Sequence, residues 1–114
     1  MKIIILLISI FFFLEAKHLH KEKYYQQQFC KEMRDIQEYK LKDKSRIDRL
    51  TAEYAIEVDF ANKWAEAVGQ SLYYSMMTGK KAGIYLIIEN VKEEKYLHKL
   101  NKVAKKFNIK VWTD

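Results

Sequence analysis

The sequence predicts an α/β domain with a mixed sheet, its elements running helix, strand, strand, strand, helix, strand, helix, strand. Three observations carry that prediction. Between residues 37 and 59 lie three short strand-like runs parted by turn-forming clusters; apolar residues recur at three and four positions over 61 to 78 and 91 to 107; and Ile84-Tyr85-Leu86-Ile87-Ile88 is apolar throughout. Helices that alternate with strands bury their apolar stripes on the sheet those strands form.

The chain begins outside that pattern. Met1-Lys2, an apolar run from Ile3 to Leu14 broken only by Ser9, and then Glu15-Ala16 have the charged start, apolar middle and small-residue end of a signal peptide. This sets residues 1–16 apart from a single domain at 17–114 and predicts export to a periplasmic or secreted location. A membrane-spanning helix needs about 20 apolar residues. Only if the segment stays uncleaved does the sequence imply a membrane anchor.

A first helix is expected over Glu22 to Asp35, with Tyr24, Tyr25, Phe29 and Met33 at helical intervals. Three strands follow at Gln37–Leu41, Arg46–Leu50 and Tyr54–Asp59, parted by Lys42-Asp43-Lys44-Ser45 and Thr51-Ala52-Glu53. Ala61, Trp64, Ala65, Val68, Leu72, Ser75 and Met76 then mark the apolar stripe of a helix that reaches Thr78 and stops at Gly79. On that helix Lys63, Gln70 and Tyr74 fall within about 40° of one another, opposite the stripe. Ile84 to Ile88 reads as a strand covered on both faces, Val91 to Phe107 as a helix with a lysine-rich outer side, and Ile109 to Trp112 as a last strand. With no proline and three glycines, the connections should be short.

Composition narrows the chemistry. A net charge of +6, unchanged when residues 1–16 are removed, favours phosphate-rich partners through counterion release. One cysteine excludes an internal disulfide framework and a multi-cysteine zinc site, so Cys30 is expected to be a small buried residue. Trp64 belongs to the core stripe and Trp112 is open to either role. His18, His20 and His98 form no convincing site, and nothing indicates a small-molecule cofactor.

Alternation along the third strand puts Glu57 and Asp59 on one face. A hairpin between Leu50 and Tyr54 would bring Asp48 beside them, and crowded carboxylates are tolerable when solvated, when capping something, or when caging a cation such as magnesium. Asp59, just before the helix, is placed to accept a hydrogen bond from the Asn62 amide as an N-cap. For Asp48 and Glu57, a solvated sheet face accounts for the pattern as well as a metal site does.

The succession Asp48, then Glu57-Val58-Asp59 at a strand end, then Gln70-Ser71-Leu72-Tyr73-Tyr74 on the next helix resembles the RecB-type branch of the PD-(D/E)XK nucleases, with its Gln-x-x-x-Tyr element. The resemblance covers about residues 36 to 90 and aligns Glu38 loosely with the superfamily's upstream glutamate. It implies a restriction-endonuclease-like core and an endo- or exonuclease acting on nucleic acid, DNA in the first instance. It further implies Mg2+ or Mn2+ on Asp48, Glu57 and the Val58 carbonyl, with Gln70 and Tyr74 positioning the active site or the DNA. The pattern departs at Asp59, where the family carries a lysine, and Lys63, one turn into the helix, is the candidate substitute. Two alternatives stand beside a nuclease: a catalytically inactive nucleic-acid-binding relative, and a small exported interaction protein.

Overall fold

A computed structural model describes residues 18–33 and 36–114, with residues 28–33 described by their backbone alone. The proposed leader and the Cys30 side chain lie outside what is described. The architecture is α/β: a five-stranded mixed sheet in spatial order β1-β2-β3-β4-β5, with three α-helices among the described residues. The strands are β1 (Ile36–Lys40), β2 (Arg46–Leu50), β3 (Tyr54–Phe60), β4 (Lys81–Ile87) and β5 (Lys110–Thr113). The helices are α1 (Glu22–Met33), α2 (Trp64–Thr78) and α3 (Glu94–Phe107), and short 3-10 turns at Ala61–Lys63 and Val91–Glu93 lead into the last two.

Pairing divides the sheet. β3 and β4 run parallel and stay in register from Tyr54↔Lys81 to Phe60↔Ile87, and β4 pairs β5 in parallel from Gly83↔Lys110 to Leu86↔Thr113. β1 and β2 form an antiparallel hairpin whose turn is tied by Asp43, which accepts from the Ser45 amide and hydroxyl. Between β2 and β3 the antiparallel pairing is confined to Arg49↔Ile56 and Leu50↔Ala55.

Each face of the parallel half is covered by different residues. Ala82, Ile84 and Leu86 meet α2 and α3 through Ala67, Leu100 and Ala104, and Trp64 packs on this cluster as expected. On the other face Ile56, Val58, Phe60, Tyr85 and Ile87 gather with Tyr25 of α1, Tyr54 and Trp112. Trp112 is thus a packing residue, edge-on to Tyr54 at 5.2 Å. It also explains Gly83, where an added Cβ would lie 2.7 Å from the indole ring. Both long helices end on a residue in the left-handed region, Gly79 (φ 71°) and Asn108 (φ 59°), which is the helix stop read at Gly79.

Two expectations shift. β4 starts at Lys81 rather than Ile84, because β3 offers ladder partners back to Tyr54. The buried side of α2 is centred on Ala67, Ser71 and Tyr74, while Ala65 and Met76, read as core, are exposed, Met76 at 72%. Small residues at 67 and 71 let the helix lie close on the sheet, and Tyr74 fills the space over Ala55 and Ile47. Among the described residues no helix is long and apolar enough to cross a membrane.

Candidate functional site

The gap between β2 and β3 is where the site forms. Past the Arg49↔Ile56 pair the two strands part, and the backbone left without a ladder partner is met by a side chain: Asp48 Oδ2 accepts the Val58 amide at 2.8 Å. The amide and carbonyl of one extended residue face the same strand edge, so the Val58 carbonyl also looks toward this gap. Glu57 enters from β3 with only 5% of its surface exposed, and its Oε2 is buried without a hydrogen-bond partner among the described residues.

The third carboxylate comes from outside the strands. Glu22, in the first turn of α1, places an oxygen so that ligand atoms of Glu22, Asp48 and Glu57 all lie within 4.8 Å of one another. Helix α1 is held over the gap partly by Gln26, whose amide donates to the Asp48 carbonyl oxygen at 3.2 Å. Glu38, aligned by sequence with the upstream glutamate, instead lies exposed on β1. The carboxylate that joins Asp48 and Glu57 is Glu22.

A second carboxylate anchors the approach to α1. Glu89, just after β4, accepts the Leu19 amide at 2.6 Å and the Tyr25 hydroxyl at 2.8 Å, and it pairs with His18 Nδ1. These three donors flank Glu22 on both sides in sequence, so one residue fixes where α1 begins. The His18 ring also lies flat on Phe60, with centroids 3.5 Å apart. Burial pushes the Glu89 carboxyl up, but the bonds from His18, Tyr25 and Leu19 outweigh it and hold the group below its ordinary range. The histidine dismissed from sequence is thus a structural contact of the site.

Burial and mutual repulsion both raise the carboxyls of the cluster. Burial raises the Glu57 carboxyl far above the ordinary range, and its bond to Asp48 and the nearby charges of Asp48, Asp59 and Glu22 add to that. Glu22 is pushed up to about 7, first by burial and then by Asp48 and Asp59, against the lowering charge of Lys63. Asp59 rises to about 6, chiefly through burial. It does not cap Asn62: its Oδ1 accepts the amide of Phe60, and the turn at Ala61 begins with no side-chain cap. β3 runs one residue past Asp59, to Phe60, and Asp59 accepts that residue's amide instead of reaching the turn.

The remaining candidates separate. Tyr74 is buried beside the cluster, its hydroxyl raised to about 12 by burial and by Glu57 and Asp48, so it is a neutral phenol at physiological pH. Lys63 is exposed at the mouth, close enough for its charge to be felt by Glu22 and Asp59. Gln70 is exposed on α2, one turn before Tyr74. Asp48, Glu57, Val58 and Tyr74 are therefore brought together, Lys63 borders them, and Gln70 is exposed one turn from Tyr74.

Three carboxylates converging on a gap, with a carbonyl on the same edge and one carboxylate oxygen buried without a partner among the described residues, make a set of oxygen donors that could hold a metal ion. No family model, curated protein or solved structure matches this chain.

Proposed function

We propose that the chain is a divalent-metal-dependent nuclease that hydrolyses phosphodiester bonds in DNA, on a restriction-endonuclease-like core that resembles the RecB-type PD-(D/E)XK nucleases. The observation that carries this reading is the meeting of Glu22, Asp48 and Glu57, from a helix and two strands, within 4.8 Å. Such a cluster is costly to assemble as bare carboxylates, and a cation between them removes the cost. A bound Mg2+ or Mn2+ supplies an activated water and screens the charge of the phosphate.

The chain's own groups divide the remaining work. Glu22, Asp48, Glu57 and the Val58 carbonyl hold the ion. Glu22 and Glu57 must give up protons for the site to load, so loading strengthens as pH rises through about 7, the value of Glu22, and goes on strengthening above it because the Glu57 carboxyl is raised further. Lys63 at the mouth attracts the phosphate and offsets Asp59. Tyr74 stays protonated and offers a hydrogen-bond donor.

One observation favours a second reading. Asp59 stands where the resembled family has its strand lysine, and a carboxylate there repels the group that lysine would steady. A catalytically inactive relative that still binds nucleic acid follows if Lys63 does not make good the loss. The deciding experiment is nicking and degradation of plasmid and linear DNA with Mg2+, Mn2+ or chelator, beside Glu57→Gln and Lys63→Ala. Metal-dependent cleavage abolished by Glu57→Gln supports the nuclease; salt-sensitive DNA binding without cleavage supports the inactive relative; neither result overturns both.

A further inference from the structure

Beside the carboxylates, at the carboxyl ends of β3 and β4, lies an open cleft of about 670 Å³. Crevices outside the carboxyl ends of parallel strands are where open α/β sheets bind ligands, and this volume falls in the range of small-molecule sites. From these features and the walls described below we infer that the cleft is a nucleotide subsite, taking the phosphate and base next to the scissile bond. The inference rests on the nuclease reading and names where the strand continues from it.

The walls divide into two kinds of chemistry. Lys63, Lys92 and Lys95 bring three ammonium groups to the cleft, with the side-chain amides of Asn62 and Asn90 beside them. Among the described residues none of these lysines is in an ion pair. The two acids of the lining are turned to internal partners. Glu89 holds His18, Leu19 and Tyr25, and Glu93 Oε1 accepts the Glu89 amide at 2.8 Å. Lysine ammoniums that form no ion pair among the described residues, beside amide donors, suit a phosphate.

The other wall is aromatic. His18 is backed by Phe60 at 3.5 Å and steered by Glu89 at Nδ1, so its ring is held in place while its side chain stays 33% exposed. Tyr96 also lines the cleft, and the Lys95 ammonium sits 5.1 Å from the centre of its ring. Rigid rings next to cations accept a base by stacking while the cations take its phosphate. Continuity with the carboxylates comes through Phe60, which directly follows Asp59 in the chain, and Lys63, whose charge acts on Glu22 and Asp59; both line the cleft.

The test needs no cleavage. Thymidine 5′-monophosphate, thymidine, inorganic phosphate and the dinucleotide thymidylyl-thymidine are titrated into the wild-type chain in chelator, with aromatic NMR signals of His18 and Tyr96 as the readout. The nucleotide is expected to shift both rings, to bind at least about tenfold more tightly than thymidine, and to weaken about tenfold in Lys92→Gln/Lys95→Gln, whose exposed side chains leave the fold intact. The dinucleotide should bind at least as tightly as the mononucleotide. Overturning results are no nucleotide binding, equal binding of thymidine, a dinucleotide that is excluded, or shifts confined to rings outside the cleft. If DNA goes uncut while the nucleotide still binds here, the nuclease reading falls and the cleft stands as a nucleotide-binding site without a scissile bond beside it; if DNA is cut and no nucleotide binds, the nuclease reading stands and the subsite falls.

Discussion

On one side of β3 the sheet is continuous, and on the other it comes apart. β4 is paired along its length on the β3 side, covered by α2 and α3, and buried from Ala82 to Ile87, whereas β2 leaves β3 after two paired positions and every residue of β1 is exposed. The continuous side satisfies its backbone internally and holds most of the apolar burial. The broken side leaves backbone groups at Val58 to be met by Asp48, and the opening admits Glu22 and Glu57. Stability and chemistry are thereby placed on opposite edges of one strand.

The largest expected effect tests the continuous side. Leu86→Ala removes a fully buried side chain packed in the α2–α3 cluster and should cost about 2–5 kcal/mol in denaturant unfolding. A loss below about 1 kcal/mol would mean this core is not where the fold is held.

On the broken side, Glu57→Gln should weaken Mn2+ binding about 100-fold by calorimetry and leave metal-free stability within about 1 kcal/mol of wild type. Burial and its acidic neighbours raise this carboxyl far above the ordinary range, favouring its neutral form, so a neutral amide of the same shape should change little there. The pH dependence sharpens the point. Glu22 has a folded-state value raised from 4.5 to about 7, so its stabilising share is whole below about 4.5 and is lost as pH rises through about 7. Metal-free stability should therefore fall across that interval, Glu22→Gln should flatten the fall, and saturating Mn2+ should reverse it.

Next in size is Glu89→Ala, which strips the acceptor from His18, Leu19 and Tyr25 and should loosen α1 by about 1–3 kcal/mol. Faster amide exchange confined to residues 19–26 would show it, with the β4 amides unchanged. Smallest is Glu53→Ala, which removes the exposed Lys81 partner at the start of the parallel side. No resolvable change in Tm is expected, because both charges are well solvated.

Most elements were legible because their signals are local. Arg46–Leu50 and the Gly79 stop were read where they occur, since a strand's composition and a helix's end depend on neighbouring residues. Asp48 and Glu57 were legible as a pair because one short turn joins their strands. Glu22 was not, since it sits among lysines like any solvated helix residue and meets Asp48 only once α1 docks. His18 and Glu89, 71 residues apart, gave no sign of each other for the same reason. The buried side of α2 was misread toward Met76 because hydropathy ranks methionine above alanine and serine, while close packing on the sheet selects the smaller residues.

The sequence by itself determined the alternation of helices and strands, the basic charge and the two strand carboxylates, because periodicity, composition and short turns act over a few residues. Tertiary structure alone decided that β2 parts from β3, that Glu22 enters the gap, and that Glu89 holds the segment carrying it. Those outcomes depend on long-range docking, in which the free energy of a contact exists only once the surfaces that make it have met.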